Sequence, residues 1–461
     1  MMTSWNPELP SQGHRYQAIA DALARDIDQG LLAAGTRLPT HRDLAWRLGV
    51  TVGTVTRAYA EAERRGLIVG EVGRGTYVRP QGPESPDHVG RLSGSNSMVN
   101  LAVNWPAQTP DSQAIPAAIA KLAQDSAVQF HLEYCHAQGR REHQQAGAQW
   151  LQSCGLDCHD AEVLPINGAQ NGLAIALAAL AQPNDIVLTE KITFFGVKVA
   201  AKAQSLRLYG VEMDQDGLRP DALDTACRAT GAKILYCVPS FQNPTATVMS
   251  QARRLALAEV CRRHGVAVIE DDVYNIPGQS PAPLSNLLPE SAVYVTSLSK
   301  SVSPGLRVGY LKAPARSLER MASCLRAFGT MSNAFMHEIA ARCIRDGTAT
   351  RLAHAQAAEA CGRQALARAI LPPARVNGHP SSFHLWLQLP EPWRSESFAS
   401  AALRHGVGVS AAEIFAVGRD PVVNAVRVCL SAARNRDDLG RALKILAELL
   451  TREPDLDLPA L

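Results

Sequence analysis

From Val99 onward, apolar runs of strand length alternate with patterns of helical period, and this alternation limits the possible folds more than any other feature. Asp185-Ile186-Val187-Leu188-Thr189, Lys233-Ile234-Leu235-Tyr236-Cys237-Val238, Val266-Ala267-Val268-Ile269-Glu270 and Ala292-Val293-Tyr294-Val295-Thr296 are near-continuous apolar runs, so each such strand needs cover on both faces. Helical patterns such as Gln251 to His264 lie between them. Strand–helix–strand order of this kind predicts an α/β fold, a mostly parallel sheet with helices on both faces. A chain of 461 residues exceeds one core, and its first eighty residues break the pattern.

Residues 14–79 contain ten arginines and no lysine, whereas residues 80–98 are rich in Pro, Gly and Ser and lack periodicity. The sequence therefore divides into a head at 12–79, a flexible linker at 80–98 and a main domain at 99–455, with a large subdomain at about 140–315 and a small one at about 330–455. Net charge is only +3, so any nucleic-acid site has to be a local patch. None of the ten cysteines forms a Cys-x-x-Cys pair, and no metal site is expected from them; buried reduced thiols are. Met1 to Gly13 lacks a signal-peptide pattern and no apolar run reaches spanning length, so a cytoplasmic protein without a membrane partner is expected.

In the head, Tyr16, Ile19, Ala20, Leu23 and Ile27 recur at helical spacing. Thr40 can cap a short second helix over Arg42 to Leu48, Gly49-Val50 turns the chain, and Thr51 can cap a third helix to about Arg65. Gly66 to Val78 reads as a hairpin with a glycine-rich tip. Helix, turn, helix and hairpin form a winged helix-turn-helix, in which Thr51, Val52 and Thr54 enter a major groove. Arg42, Arg57 and Arg74 would hold phosphates, and Gly75 would let the wing backbone approach the minor groove. Periodicity alone is equally compatible with a small helical packing module carrying solvated arginines. The run LPTHRDLAWRLGVTVGTVTRAYAEAERRGLIVGEVGRGTYV resembles the GntR-type winged-helix family over about sixty-five residues. Val52 departs from that family, which often carries arginine there.

Ser297-Leu298-Ser299-Lys300 followed by Pro304-Gly305-Leu306-Arg307-Val308-Gly309 has the pattern of a lysine that forms a Schiff base with an aldehyde cofactor. Ser297, Ser299 and Arg307 would bind its phosphate. Asn167-Gly168-Ala169-Gln170 follows an apolar strand and opens a helix, which suits an anion or, equally, plain packing. Phe194 could stack on a heterocycle, although a core aromatic is the commoner meaning of such a ring. Asn243, followed by Pro244, can offer its amide to a phenolate, and Asp271 at a strand end can pair with a pyridinium or cap a helix.

In order and spacing these motifs resemble the fold-type-I aminotransferases, which use pyridoxal 5′-phosphate (PLP), over roughly residues 99–450. The resemblance implies that Lys300 is the catalytic, cofactor-bearing lysine and Asp271 the partner of the pyridine nitrogen. Asn243 and Tyr274 become ligands of the cofactor 3′-oxygen and Phe194 the stacking ring. Gly168, Ala169, Gln170, Ser297, Ser299 and Arg307 cradle the phosphate, Tyr134 reaches the neighbouring subunit's phosphate, and Arg427 clamps a substrate carboxylate. His143-Gln144, Ala246 and Ser381-Ser382 depart from the pattern.

Head and main domain together resemble the MocR subfamily of GntR regulators. That resemblance implies a head-to-tail homodimer on double-stranded DNA whose DNA-bound state changes with PLP, or with an amino acid or amine bound to it. It implies control of vitamin B6 or amino-acid metabolism. The alternative is a working aminotransferase with an accessory DNA-binding head.

Overall fold

The computed structural model describes residues 5, 7, 15–28, 31–32, 36–65, 67–71, 75–78, 98–111, 113–418 and 423–453. They fall into two compact units, residues 1–96 with 455–461, and residues 97–454.

The N-terminal unit has helices α1 (Arg15–Asp28), α2 (His41–Leu48) and α3 (Val52–Arg64), then strands β1 (Ile68–Glu71) and β2 (Gly75–Val78) paired antiparallel. Thr40 Oγ1 accepts from the Asp43 N–H and Thr51 Oγ1 from the Thr54 N–H, each satisfying a donor the helix start leaves open, worth about 1 kcal/mol. Gly49 ends α2 in the left-handed conformation (φ +61°), which sets the tight turn into α3. Ile19, Leu23, Leu44, Val55, Tyr59, Ile68 and Val78 make one core. The Tyr59 hydroxyl donates to the Pro39 carbonyl (2.8 Å) and ties α3 to the segment before α2. Backbone bonds from Leu38 to Thr76 and from Val78 to Thr36 attach that segment to the hairpin.

The C-terminal unit is built on a seven-stranded sheet in the order Val163–Ile166, Gly309–Lys312, Ala292–Ser297, Ala267–Asp271, Ile234–Cys237, Ile186–Glu190, Arg207–Val211. Only Gly309–Lys312 runs against its neighbours. Side-chain alternation sorts one strand into two cores: Ile234 and Tyr236 join the helix Ala169–Leu180 side, Leu235 and Cys237 the helix Gln251–His264 side. The parallel strands end at one edge, the place where open α/β sheets bind ligands.

A smaller antiparallel sheet (Val376–Asn377, Leu385–Gln388, Ala425–Val428, Ser410–Ala411) packs with helices Thr348–Ile370, Ser395–Arg404 and Arg436–Leu450. Val99–Asn100 pairs parallel with Val407–Gly408, so the first described stretch of this unit belongs to the smaller lobe. Helix Ala334–Arg345 shares a core with Arg141–Ser153. No helix among the described residues is long and apolar enough to cross a membrane. The expected linker lies outside the described residues apart from Met98.

Candidate functional site

The strand Ala292–Ser297 ends in a hydroxyl knot. Ser297 Oγ donates to the Val308 carbonyl (3.0 Å), lies 2.8 Å from Ser299 Oγ and accepts from the Ser299 N–H (3.1 Å). The knot fixes the turn that presents Lys300, whose Nζ donates to the Asn104 carbonyl at 2.5 Å. Desolvation, with the nearby charges of Arg427 and Arg307, lowers the Lys300 pKa to about 8 against an opposing pull from Cys429. A sizeable neutral fraction is thus present near neutral pH, as a nucleophilic amine requires.

Asp271 is buried at the end of its strand and accepts from the Tyr236 hydroxyl (2.8 Å). Burial pushes its pKa up to about 7; Asp272 adds to the rise and the Tyr236 hydrogen bond opposes it. A carboxyl so placed gains most from a cationic partner that restores its charged form.

A chain of hydrogen bonds fixes which donors remain free around this cleft. A carbonyl only accepts, so His384 Nε2 carries the proton donated to the Gln242 carbonyl (3.0 Å). Its Nδ1 then accepts from Asn104 Nδ2 (3.1 Å), which also donates to the Tyr274 hydroxyl oxygen (3.0 Å). Burial, helped by Arg427, lowers the His384 pKa to about 3 and keeps the ring neutral. A guanidinium only donates, so Arg427 Nη1 sets Asn243 with Oδ1 toward it (2.7 Å). The Tyr274 hydroxyl proton and the Asn243 amide hydrogens are left without partners among the described residues.

Arg427 is buried, donates also to the Ala102 carbonyl (2.6 Å) and sits 4.7 Å from the Phe415 ring centroid. Its Nε is buried without a partner, and among the described residues it makes no ion pair. An uncompensated buried cation favours an anionic ligand.

At the start of the helix Ala169–Leu180 no side chain caps the first turn. Gly168 there has φ +83° and ψ 165°, and a Cβ on it would lie 2.8 Å from Arg307 Nη2. The guanidinium thus rests over a backbone kept bare by glycine. Arg307 itself is held at φ +52°, a strained conformation for an arginine. Gln170 Nε2 donates to the Gly196 carbonyl (2.9 Å), and a Cβ on Gly196 would touch both the Phe194 ring and Gln170. Gln170 and Phe194 therefore flank one another beside the helix start. Tyr134 is 86% exposed.

Asn104, Tyr236 and His384 are participants that the sequence did not single out. A tyrosine inside an unbroken apolar strand is a usable signal, because its hydroxyl needs a partner. Asn104, in an extended stretch without periodicity, offers none. Of the departures, Ala246 adopts φ +59°, the conformation that explains a glycine at that position, and Ser381 Oγ donates to Gln279 Oε1 (2.9 Å).

In the head, Thr40, Arg42, Thr51, Val52 and Arg57 are exposed and Thr54 is half-buried, while Val55, Ala58, Tyr59 and Ala62 of α3 face the core. The Arg57 guanidinium lies 5.8 Å from the Tyr16 ring centroid. Trp46, not foreseen, is 84% exposed on α2. Gly75 opens β2, and Arg74 lies outside the described residues.

Residues 96–446 match the aminotransferase class I and II family, and residues 15–78 match the gntR family of bacterial regulatory proteins. The chain is similar to the uncharacterized HTH-type transcriptional regulator YdeF of Bacillus subtilis, 29% identical over 97% of both chains. It is 27% identical to the probable rhizopine catabolism regulatory protein MocR of Rhizobium meliloti, over 65% of each. Kynurenine aminotransferase of Pyrococcus horikoshii superposes with TM-score 0.70 at 20% identity, covering 79% of this chain and 96% of that one. An archaeal alanine:glyoxylate aminotransferase gives 0.69 at 24% identity, over 77% and 90%. These likenesses show the fold-type-I architecture. The chain belongs to the aminotransferase class I and II family, with pyridoxal 5′-phosphate as its cofactor, and it carries a gntR-family head, a domain architecture consistent with the MocR subfamily of transcriptional regulators.

Proposed function

We propose that this protein is a transcriptional regulator that holds PLP covalently through Lys300 and changes its DNA-bound state with the cofactor or with an amino compound bound to it. The observation that carries the proposal is the set of unspent groups in the cleft of a chain that also bears a DNA-binding head. Bound PLP supplies an electrophilic aldehyde and a protonatable ring that withdraws electrons. The groups in the cleft fit that chemistry. Lys300 offers a part-neutral amine and Asp271 a buried acid for the ring nitrogen. Asn243 and Tyr274 retain donors for the 3′-oxygen, with Asn104 and Arg427 fixing their orientation. Arg307, Ser299 and the bare turn at Gly168–Gln170 would take the phosphate, with Ser297 bracing the turn that presents Lys300 and Phe194 beside Gln170. Arg427 would take the carboxylate of an amino-acid effector.

Tyr134 supports a homodimer, because a tyrosine this exposed is free to reach a second copy; in the head-to-tail form each head would rest on the partner's main domain. In the head, Thr40, Arg42, Thr51, Val52, Thr54, Arg57, Arg74 and Gly75 would form the contact set on duplex DNA. The regulated genes would serve vitamin B6 or amino-acid metabolism. Footprinting on the fragment upstream of the gene, with and without PLP, tests the proposal: equal affinity and an unchanged footprint would defeat it. The retained amine and carboxylate clamp also favour residual transamination. A panel of amino acids and oxo acids decides this, with sustained turnover at about 1 s⁻¹ or more marking an enzyme.

A further inference from the structure

Away from the cofactor cleft, three separate elements bring two imidazoles and a carboxylate together. His131 lies in the 3-10 turn Val128–Leu132, His143 on helix Arg141–Ser153 and Glu338 on helix Ala334–Arg345, and their ligand atoms all lie within 4.8 Å of one another. His143 is 0% exposed and Glu338 5%. Among the described residues neither His143 Nδ1 nor His131 Nδ1 has a hydrogen-bond partner, although both atoms are buried, and His143 Nε2 faces only the Glu338 carboxylate at 3.3 Å. Buried polar atoms are nearly always paired, so two orphaned nitrogens beside a buried carboxylate call for a ligand.

The carboxylate is already oriented. Arg342 Nε (2.7 Å) and Arg345 Nη2 (3.4 Å) both donate to Glu338 Oε1, which leaves Oε2 turned toward His143 at 3.3 Å. That separation equals the edge of a tetrahedron whose metal–ligand bonds are about 2.0–2.1 Å long. His131 would have to close from at most 4.8 Å to a similar edge, a shift of about 1.5 Å that side-chain rotation supplies. His337 stacks on His143 at 5.9 Å, with its Nε2 turned to the Ile166 carbonyl at 3.2 Å. Arg140, Arg342 and Arg345 oppose a dication, while Asp125 pairs with Arg342 and offsets part of that field.

We propose that His131, His143 and Glu338 form a binding site for a divalent transition-metal ion of the zinc type, with a fourth position left to water. The ligand set, two imidazoles and one carboxylate, suits Zn²⁺ and Co²⁺ rather than Ca²⁺ or Mg²⁺. No cysteine takes part, which is why cysteine spacing gave no sign of it. His131 precedes the exposed Tyr134 by three residues, so a bound ion would tie that segment to two buried helices.

The test uses the untagged, PLP-loaded, full-length protein, stripped with a chelator and dialysed against ZnCl₂. Wild type and Cys361→Ser, which removes the exposed thiol, should each bind one equivalent per chain. His131→Ala, at a half-buried position, should bind more than about tenfold more weakly. Zinc should also slow amide exchange over residues 128–135 in wild type and not in His131→Ala. Absence of zinc binding in wild type, or equal affinity in wild type and His131→Ala, overturns the site.

Discussion

Gly168→Ala separates two costs that the geometry keeps distinct. At φ +83° and ψ 165° the residue occupies a region that is essentially glycine's alone, so alanine there costs about 1–3 kcal/mol. That cost falls on the protein with or without cofactor and should lower the melting temperature in both states. The second cost is the new Cβ, 2.8 Å from Arg307 Nη2. The contact is with the end of a flexible side chain, so the guanidinium moves and the backbone does not. If Arg307 holds the phosphate, its displacement forfeits a charge-assisted hydrogen bond worth about 1.5–3 kcal/mol. At about 1.4 kcal/mol per decade, the PLP dissociation constant should rise by about 10- to 150-fold. The assay is a spectroscopic titration of the cofactor-free protein with PLP, run as a double-mutant cycle with Arg307→Ala. Once Arg307 is gone, Gly168→Ala should add little to the loss of PLP affinity while still lowering the melting temperature. PLP binding by Gly168→Ala within about twofold of wild type, or a penalty fully additive with Arg307→Ala, refutes the cradle.

Lys300→Ala should lose the absorption band near the visible edge while the head stays folded by circular dichroism; a wild-type spectrum would rule out Lys300 as the attachment point. Asp271 has its pKa raised from 3.8 to about 7, so in cofactor-free protein its stabilising share is present below 3.8 and is lost as pH rises through about 7. The melting temperature of Asp271→Asn relative to wild type should therefore climb across that window without PLP and fall once PLP is bound. A pH-independent difference in both states would show that Asp271 does not face the pyridine nitrogen. Arg57→Ala should weaken DNA binding and reduce the salt slope by about 1 while leaving cofactor spectra unchanged; an unaltered slope removes Arg57 from the contact set.

The sequence makes legible what is carried by period and by side-chain chemistry at fixed spacing. Thr40 and Thr51 cap the helices they precede because a hydroxyl three residues ahead of an amide signals a helix start. Lys300, Asp271 and Gly168 all lie at strand ends, which runs such as Val266 to Glu270 locate closely. What the sequence hides is long-range. Asn104 meets Lys300 across 196 positions and His384 across 280, and nothing local announces either contact. Val99–Asn100 belongs to the smaller lobe only because it pairs with Val407–Gly408, a register set by tertiary packing. Glu338 meets His143 because two helices pack side by side, and helical period gives the face of a helix but not its partner.

The central claim is that cofactor binding and DNA binding are coupled, and linkage gives its most direct measurement. The affinity of the full-length protein for its upstream fragment should be determined with and without saturating PLP at fixed salt, and the affinity for PLP with and without that fragment. The account predicts one common factor in both directions, between about 5- and 150-fold, that disappears in Lys300→Ala. Identical DNA affinities and identical footprints in the two states would contradict it.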